Sequence, residues 1–299
     1  MATLYCSSGS AWIESEREYE LMCDTCGCNV TPGNRHLVSA GGRLSHTASG
    51  AESVAVLKSL LDANDHEAAH NRQHFDRNAV LAINLMSSPG AGKTALLEAT
   101  IDALGNEFRI AVIEGDLETE NDAIRIRNKG VPAIQISTGN ACHLDAHMIH
   151  DALHQLDLTA LDIVFIENVG NLVCPASFDL GQHRNVTLLS APEGDDKPAK
   201  YPVMFRATDL LLLSKSDLID VLGDFDPGRA THALRELANP APVIALSSRR
   251  GDGVDEWLAW LTRSLEQCQA QVAAGHILRP AVHASQKQAG HNYQGLSRS

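Results

Sequence analysis

One octapeptide constrains this chain more than anything else in it. Ser87-Ser88-Pro89-Gly90-Ala91-Gly92-Lys93-Thr94 lies between an apolar run, Val80–Met86, and a helix-forming run, Ala95–Leu104. A Gly-x-Gly-Lys-Thr sequence at a strand-to-helix turn builds a phosphate cradle. Gly90 and Gly92 let backbone amides approach a phosphate at the helix N-terminus, together with the amides of Ser88, Pro89's neighbours and Ala91. Lys93 has the reach for β- and γ-phosphate oxygens, and the Thr94 hydroxyl is placed for Mg²⁺. The position usually held by a first glycine is Ser87.

The same alternation continues along the chain. Arg109–Ile113, Ala133–Ile136, Asp162–Ile166, Val186–Leu189, Leu210–Leu213 and Val243–Leu246 read as strands rich in Val, Ile and Leu. Helical patterns fall around Asp122–Asn128, Leu144–Leu156 and Gly253–Ala270. Continuous apolar strands between helices predict an α/β fold of the P-loop NTPase type: a mostly parallel central sheet flanked by helices. The expected organisation has four parts. Residues 1–50 form an N-terminal segment with a cysteine cluster and a Gly/Ser/Thr/Asn-rich linker. Residues 51–78 form a helical lead-in, 79–270 the nucleotide-binding domain and 271–299 a polar tail.

Composition excludes several alternatives. The formal net charge is −13 with no Lys/Arg block, against a nucleic-acid partner. No apolar run is long enough for a bilayer, and the first twenty residues lack the pattern of a secretory signal. A cytoplasmic protein is expected. Its seven cysteines then call for a role other than a disulfide framework.

Two acidic strand ends follow the phosphate loop. Asp116 ends the second strand and suits Mg²⁺, directly or through water. Glu167 begins Glu167-Asn168-Val169-Gly170, where Gly170 can offer its N–H to a γ-phosphate. Base choice falls to Ser214-Lys215-Ser216-Asp217, which resembles an Asn-Lys-x-Asp guanine signature. Asp217 can accept from the guanine N1–H and N2–H₂ pair, which adenine lacks, and Lys215 can pack its stem over the base. Ser247 opens the loop expected to close over the guanine edge. GTP is therefore expected rather than ATP.

Two groups of residues suit transition metals. Cys23-Asp24-Thr25-Cys26-Gly27-Cys28 places three thiols within six residues. Soft thiolates suit Ni(II), Zn(II) or Cu(I). A redox dithiol is the rival, but the motif precedes a turn-forming Asn-Val-Thr-Pro-Gly rather than a helix. The second group is Cys142 and His143, read as starting a helix, with His147 four residues on along the same face, and Cys174 shortly after Gly170. Singly, each cysteine reads as a buried hydrophobe. Beside a nucleotide switch, the set reads as a metal site. His66, His70 and His74, spaced four apart, read as a solvated helix face.

Together these motifs resemble HypB, the nickel-inserting hydrogenase maturation GTPases of the SIMIBI class. The resemblance runs from about residue 21 to about 262. It rests on Met22–Cys28, Ser87–Thr94, Gly139–Ala146, Glu167–Pro175 and Asp255-Glu256-Trp257-Leu258. It implies that Cys23, Cys26 and Cys28 form a tight N-terminal nickel site. Cys142, His143 and Cys174 would form a weaker nickel or zinc site, with His147 a ligand in some members only. It further implies a nucleotide-promoted homodimer, a HypA-type nickel/zinc chaperone as partner and the large subunit of NiFe-hydrogenase as client; slow GTP hydrolysis is expected because no residue is an obvious arginine finger in cis. Two rival functions remain: a urease-type nickel-delivery GTPase, and a nickel-storage protein with weak GTPase activity. Asn140 and Ser214 stand where the family pattern expects Lys and Asn.

Overall fold

The computed structural model describes residues 51–281 apart from 106, 117–119 and 140, with side chains from residue 61. Cys23, Cys26 and Cys28 lie outside the described residues.

The chain enters on α1 (Ala51–Arg77) and then forms β1 (Leu81–Ser87), α2 (Lys93–Leu104), β2 (Ile110–Asp116), α3 (Asn121–Arg127), β3 (Ala133–Ser137), α4 (Ala146–Leu153) and β4 (Ile163–Glu167). It continues through β5 (Arg184–Ser190), β6 (Leu210–Ser214), α5 (Pro227–Glu236), β7 (Val243–Ala245) and α6 (Val254–Ala273), with short helical turns between. The strands form one seven-stranded sheet in the order β3-β2-β4-β1-β5-β6-β7, and every pairing is parallel. The sheet, its parallel sense and the flanking helices are those expected from the sequence. α5, which is weakly apolar, was not anticipated.

All seven residues of β1 are buried, because both faces of the sheet are covered. Leu81, Ile83 and Leu85 pack on one side with Leu96, Leu97 and Ile101 of α2 and Trp257, Leu261 and Leu265 of α6. Ala82, Ile113, Val164 and Ile166 pack on the other side with Phe75 of α1 and Ile149 and Leu153 of α4. No helix among the described residues is long and apolar enough to cross a membrane.

α1 is docked onto the sheet domain by buried polar bonds as well as by Phe75. Asn71 Nδ2 donates to the carbonyls of Ala146, at 2.7 Å, and Leu180. Arg72, 2% exposed, donates to both Asp179 oxygens at 2.7 and 2.9 Å. Gly181 lies so close to α1 that a Cβ there would meet the Ala68 carbonyl at 2.7 Å.

Candidate nucleotide and metal sites

The phosphate loop leaves β1 in the middle of the sheet, at the carboxyl end of the strands, where open parallel sheets bind ligands. Gly90 and Gly92 have φ of +75° and +100°, and Gly92 is the N-cap of α2. Nothing lies within 4 Å of a Cβ placed at either, so the left-handed backbone, not crowding, selects glycine. Ser87, the departure at the first glycine, is fully buried and accepts a 3.1 Å hydrogen bond from Lys93 Nζ. The serine thus parks the lysine inside the loop. Ser88 donates from its hydroxyl to Glu193, which also caps the turn after β5.

Glu167 meets this loop from the adjacent strand. Its carboxylate accepts from Thr94 Oγ1 at 2.9 Å and lies 4.0 Å from Lys93 Nζ. Burial pushes its pKa up to about 7, against the pull of Lys93 and Thr94. Across the β2–β4 register Glu167 faces Glu114, whose pKa burial and the Glu167 charge push up to about 8. Oxygens of Glu114, Asp122 and Glu167 lie within 4.8 Å of one another. One oxygen each of Glu114 and Glu167 is buried with no hydrogen-bond partner. Unpaired carboxylate oxygens beside a threonine hydroxyl fit a hard divalent cation such as Mg²⁺. Asp116, at the end of β2, is half-buried and outside that carboxylate group. Glu114 and Asp122 escaped the sequence reading. A glutamate inside the apolar strand Ile-Ala-Val-Ile-Glu-Gly-Asp was the available signal for the first. Asp122 carries no such local mark, because only the fold brings α3 to the strand ends.

Gly170 packs directly on the phosphate loop. A Cβ there would lie 2.7 Å from Pro89 Cα and 2.8 Å from Pro89 N. The loop after β4 and the phosphate loop are therefore in backbone contact.

The Ser214–Asp217 loop, expected to read the base, is tethered to the same element. Ser214 Oγ donates to the Ala91 carbonyl at 2.7 Å, so serine supplies a tether where asparagine is usual. Lys215, in the left-handed region at φ +57°, donates to the Gly90 carbonyl at 2.7 Å. Asp217 lies half-buried on the following turn. Ser216 N–H donates to the Leu246 carbonyl, and the buried Ser247 hydroxyl accepts from Arg250 N–H. The two loops expected to hold a base are thus joined.

A second group stands beside the loop after β4. Cys142 Sγ lies 3.2 Å from Cys174 Sγ and 3.7 Å from His143 Nδ1. The ligand atoms of these three residues all lie within 4.8 Å of one another. His143 is nearly buried and stacked on Phe178 at 3.9 Å, and burial lowers its pKa, which favours the neutral, metal-binding ring. Asn168 joins this group to the strands: its Oδ1 accepts from Leu144 N–H at 3.2 Å and its Nδ2 donates to Asn84.

The reading of Cys142 and His143 as the start of a helix is corrected. Asp145 caps α4 by accepting from Met148 N–H, so the helix begins at Ala146 and both ligands sit in the preceding turn. Helical spacing from His143 then has no meaning. His147 points away, exposed, 3.9 Å from Asp151, and is not in the group. The solvated-face reading holds for His70, which is exposed, and fails for His74, which is half-buried; both rings meet His150 of α4. His66 is exposed, as expected.

Residues 81–244 match the family CobW/HypB/UreG, nucleotide-binding domain. The chain is 48% identical over 236 residues to hydrogenase maturation factor HypB of Azotobacter vinelandii, covering 79% of this chain and 75% of that one. It is 52% identical over 202 residues to HypB of Escherichia coli K12, covering 68% and 69%. Among solved structures it resembles HypB from Helicobacter pylori in complex with nickel, at 41% identity and a TM-score of 0.66, covering 69% of this chain and 96% of that one. A phosphate loop at the centre of an all-parallel sheet, with a cysteine–histidine cluster beside it and identity of this extent, places the chain in the CobW/HypB/UreG family of nucleotide-binding P-loop proteins, among the HypB hydrogenase maturation factors.

Proposed function

We propose that this protein is a GTP-hydrolysing nickel metallochaperone that delivers nickel during NiFe-hydrogenase maturation in the cytoplasm. One observation carries the reading. The short loop after β4 holds Gly170 against Pro89 of the phosphate loop and Cys174 against Cys142. This adjacency supports a coupling of phosphate state to metal geometry through one segment. The name of the relatives, and the nickel complex of the Helicobacter pylori one, support nickel as cargo.

In this mechanism the amides of Ser88, Gly90, Ala91 and Gly92 and the Lys93 ammonium hold the phosphates. Lys93 leaves Ser87 to do so. Thr94 and the carboxylates near it would hold Mg²⁺, which would offset phosphate charge. Asp217 selects guanine, with Lys215 and Ser247 shaping the base pocket. Gly170 N–H meets the γ-phosphate, and its loss on hydrolysis releases the loop through to Cys174. Cys142, His143 and Cys174 then change their grip on nickel, or on zinc at the same ligands. Cys23, Cys26 and Cys28 serve as a second, thiolate-rich nickel site. A homodimer, a HypA-type chaperone and the hydrogenase large subunit are the partners of this cycle.

Linkage gives the test: if nucleotide changes nickel affinity, nickel changes nucleotide affinity by the same factor. Nickel is titrated into the full-length protein with GDP and with a non-hydrolysable GTP analogue. The expected result is a difference of about fivefold or more, lost in Cys142→Ala. Gly170→Ala, which drives a Cβ into Pro89, is expected to abolish the difference while nickel still binds. Equal nickel affinities in the two nucleotide states would sink the coupling.

A further inference from the structure

α1 and α4 lie side by side, and each carries two histidines one turn apart: His70 and His74 on α1, His150 and His154 at the end of α4. Residues four apart share a helix face. The docking of α1 brings the two pairs together. Ring centroids are 4.7 Å apart for His70–His74, 5.0 Å for His70–His150 and 4.6 Å for His150–His154. Ring nitrogens of His70, His74 and His150 all lie within 4.8 Å of one another. His154 Nε2 lies 3.1 Å from His150 Nε2. Two nitrogens on a tetrahedral ion with bonds of 2.0–2.1 Å stand about 3.3 Å apart, so rotations of these partly exposed rings suffice to close the set.

The His150 ring is already oriented. Glu67 Oε1 lies 3.2 Å from His150 Nδ1 and 3.7 Å from His70 Nδ1, and Asn71 Oδ1 lies 3.2 Å from His150 Nδ1. A carboxylate at one nitrogen of an imidazole turns the other toward a metal and raises its basicity. His74 Nε2 is buried and has no hydrogen-bond partner. A ring nitrogen left so is costly unless something binds it. A cleft of about 260 Å³ opens beside it, lined by His74, His150 and His154 together with Leu153, Leu156 and Leu158. Burial and the neighbouring histidines lower the His74 pKa, which favours the neutral, metal-binding form of the ring.

We propose that His70, His74 and His150, with His154 in reach as a fourth ligand, form a nitrogen-only site for a borderline divalent transition ion such as nickel(II) or zinc(II). The site is separate from Cys142, His143 and Cys174 and does not depend on the switch proposed for them. Imidazole donors without thiolate suit borderline divalent ions and disfavour Cu(I). Since α1 and α4 each supply ligands, a bound ion also pins α1 to the sheet domain.

The test uses the full-length chain without a polyhistidine tag, with Cys23, Cys26, Cys28, Cys142 and Cys174 replaced by Ser. Nickel(II) and zinc(II) are titrated by calorimetry, and ligand type is read by X-ray absorption. One equivalent bound through nitrogen and oxygen alone is expected. His74→Ala or His150→Ala weakens it at least tenfold, while His66→Ala, on the same helix but outside the cluster, leaves it unchanged. The same histidine substitutions in the chain with its cysteines intact remove one nitrogen-only equivalent and leave the sulfur-bound ones, which guards against misfolding of the serine variant. No nitrogen-only equivalent in either background, or one that survives His74→Ala and His150→Ala, overturns the proposal.

Discussion

Serine at position 214 anchors its loop to the phosphate loop. Its hydroxyl reaches the Ala91 carbonyl at 2.7 Å, because the left-handed backbone of Lys215 brings the loop close to the phosphate loop. The departure is therefore chemical but not geometric. Asp217, by contrast, has no substitute. A carboxylate accepts from guanine N1–H and N2–H₂, whereas Asn presents a donor as well. Asp217→Asn is expected to lower GTP affinity by roughly two orders of magnitude, since a charged hydrogen-bond pair is replaced by a mismatch. Xanthosine triphosphate, with a carbonyl in place of the N2 amine, is expected to recover part of the loss. Competition binding of the two nucleotides reads the outcome, and an unchanged preference would remove Asp217 from the base site.

At the scale of elements, α6 shows how a closing helix is locked. Val254, Trp257, Leu261, Leu265 and Cys268 recur at three- and four-residue steps and are buried. Trp257 is fully buried, and its Nε1–H donates to Thr100 Oγ1 at 2.8 Å. Thr100 in turn donates to the Leu96 carbonyl of α2. Trp257→Ala is expected to destabilise by about 3–5 kcal/mol through the cavity it leaves. Trp257→Phe is expected to cost less, with the loss of the hydrogen bond contributing about 1 kcal/mol. Urea unfolding would check this as a fall in midpoint with the slope unchanged; equal effects of the two substitutions would argue against cavity control. The sequence pattern foresaw this helix because its apolar spacing is clean. It misjudged the start of α4, where Asp145 takes the cap and leaves Cys142 and His143 in the turn before it. A local apolar period cannot distinguish those two registers, since Leu144 is buried in either case.

For the molecule as a whole, pH links the docking of α1 to stability. His183 is fully buried between Ala82, whose N–H donates to its Nδ1 at 2.9 Å, and Asp76 of α1, 3.0 Å from its Nε2. Burial lowers its pKa despite Asp76. The unfolded chain protonates this ring near the ordinary 6.5, and the folded chain does so only at lower pH. The stability it contributes is complete above the unfolded value and is lost as pH falls below it. The loss reaches about 1.4 kcal/mol between pH 7.5 and 5.5 if the folded ring stays neutral throughout. Glu114 and Glu167 act in the opposite sense: with raised pKa values, they make the fold less stable as pH rises from the ordinary carboxylate range toward about 8 and about 7. The difference between wild type and His183→Gln therefore isolates the histidine. It should shrink as pH falls, and a difference independent of pH would show that the ring takes its proton in the fold. The amino-acid sequence by itself determined the parallel α/β architecture and the phosphate loop, because each is a local pattern whose meaning is set by its immediate neighbours. Only the tertiary structure decided which side chains meet. Glu114, Asp122 and Glu167 come from two strands and a helix, and the histidines of α1 meet those of α4 across a helix pair formed by Asn71, Arg72 and Phe75. Such groupings depend on docking between segments distant along the chain, and residue spacing carries no record of that docking.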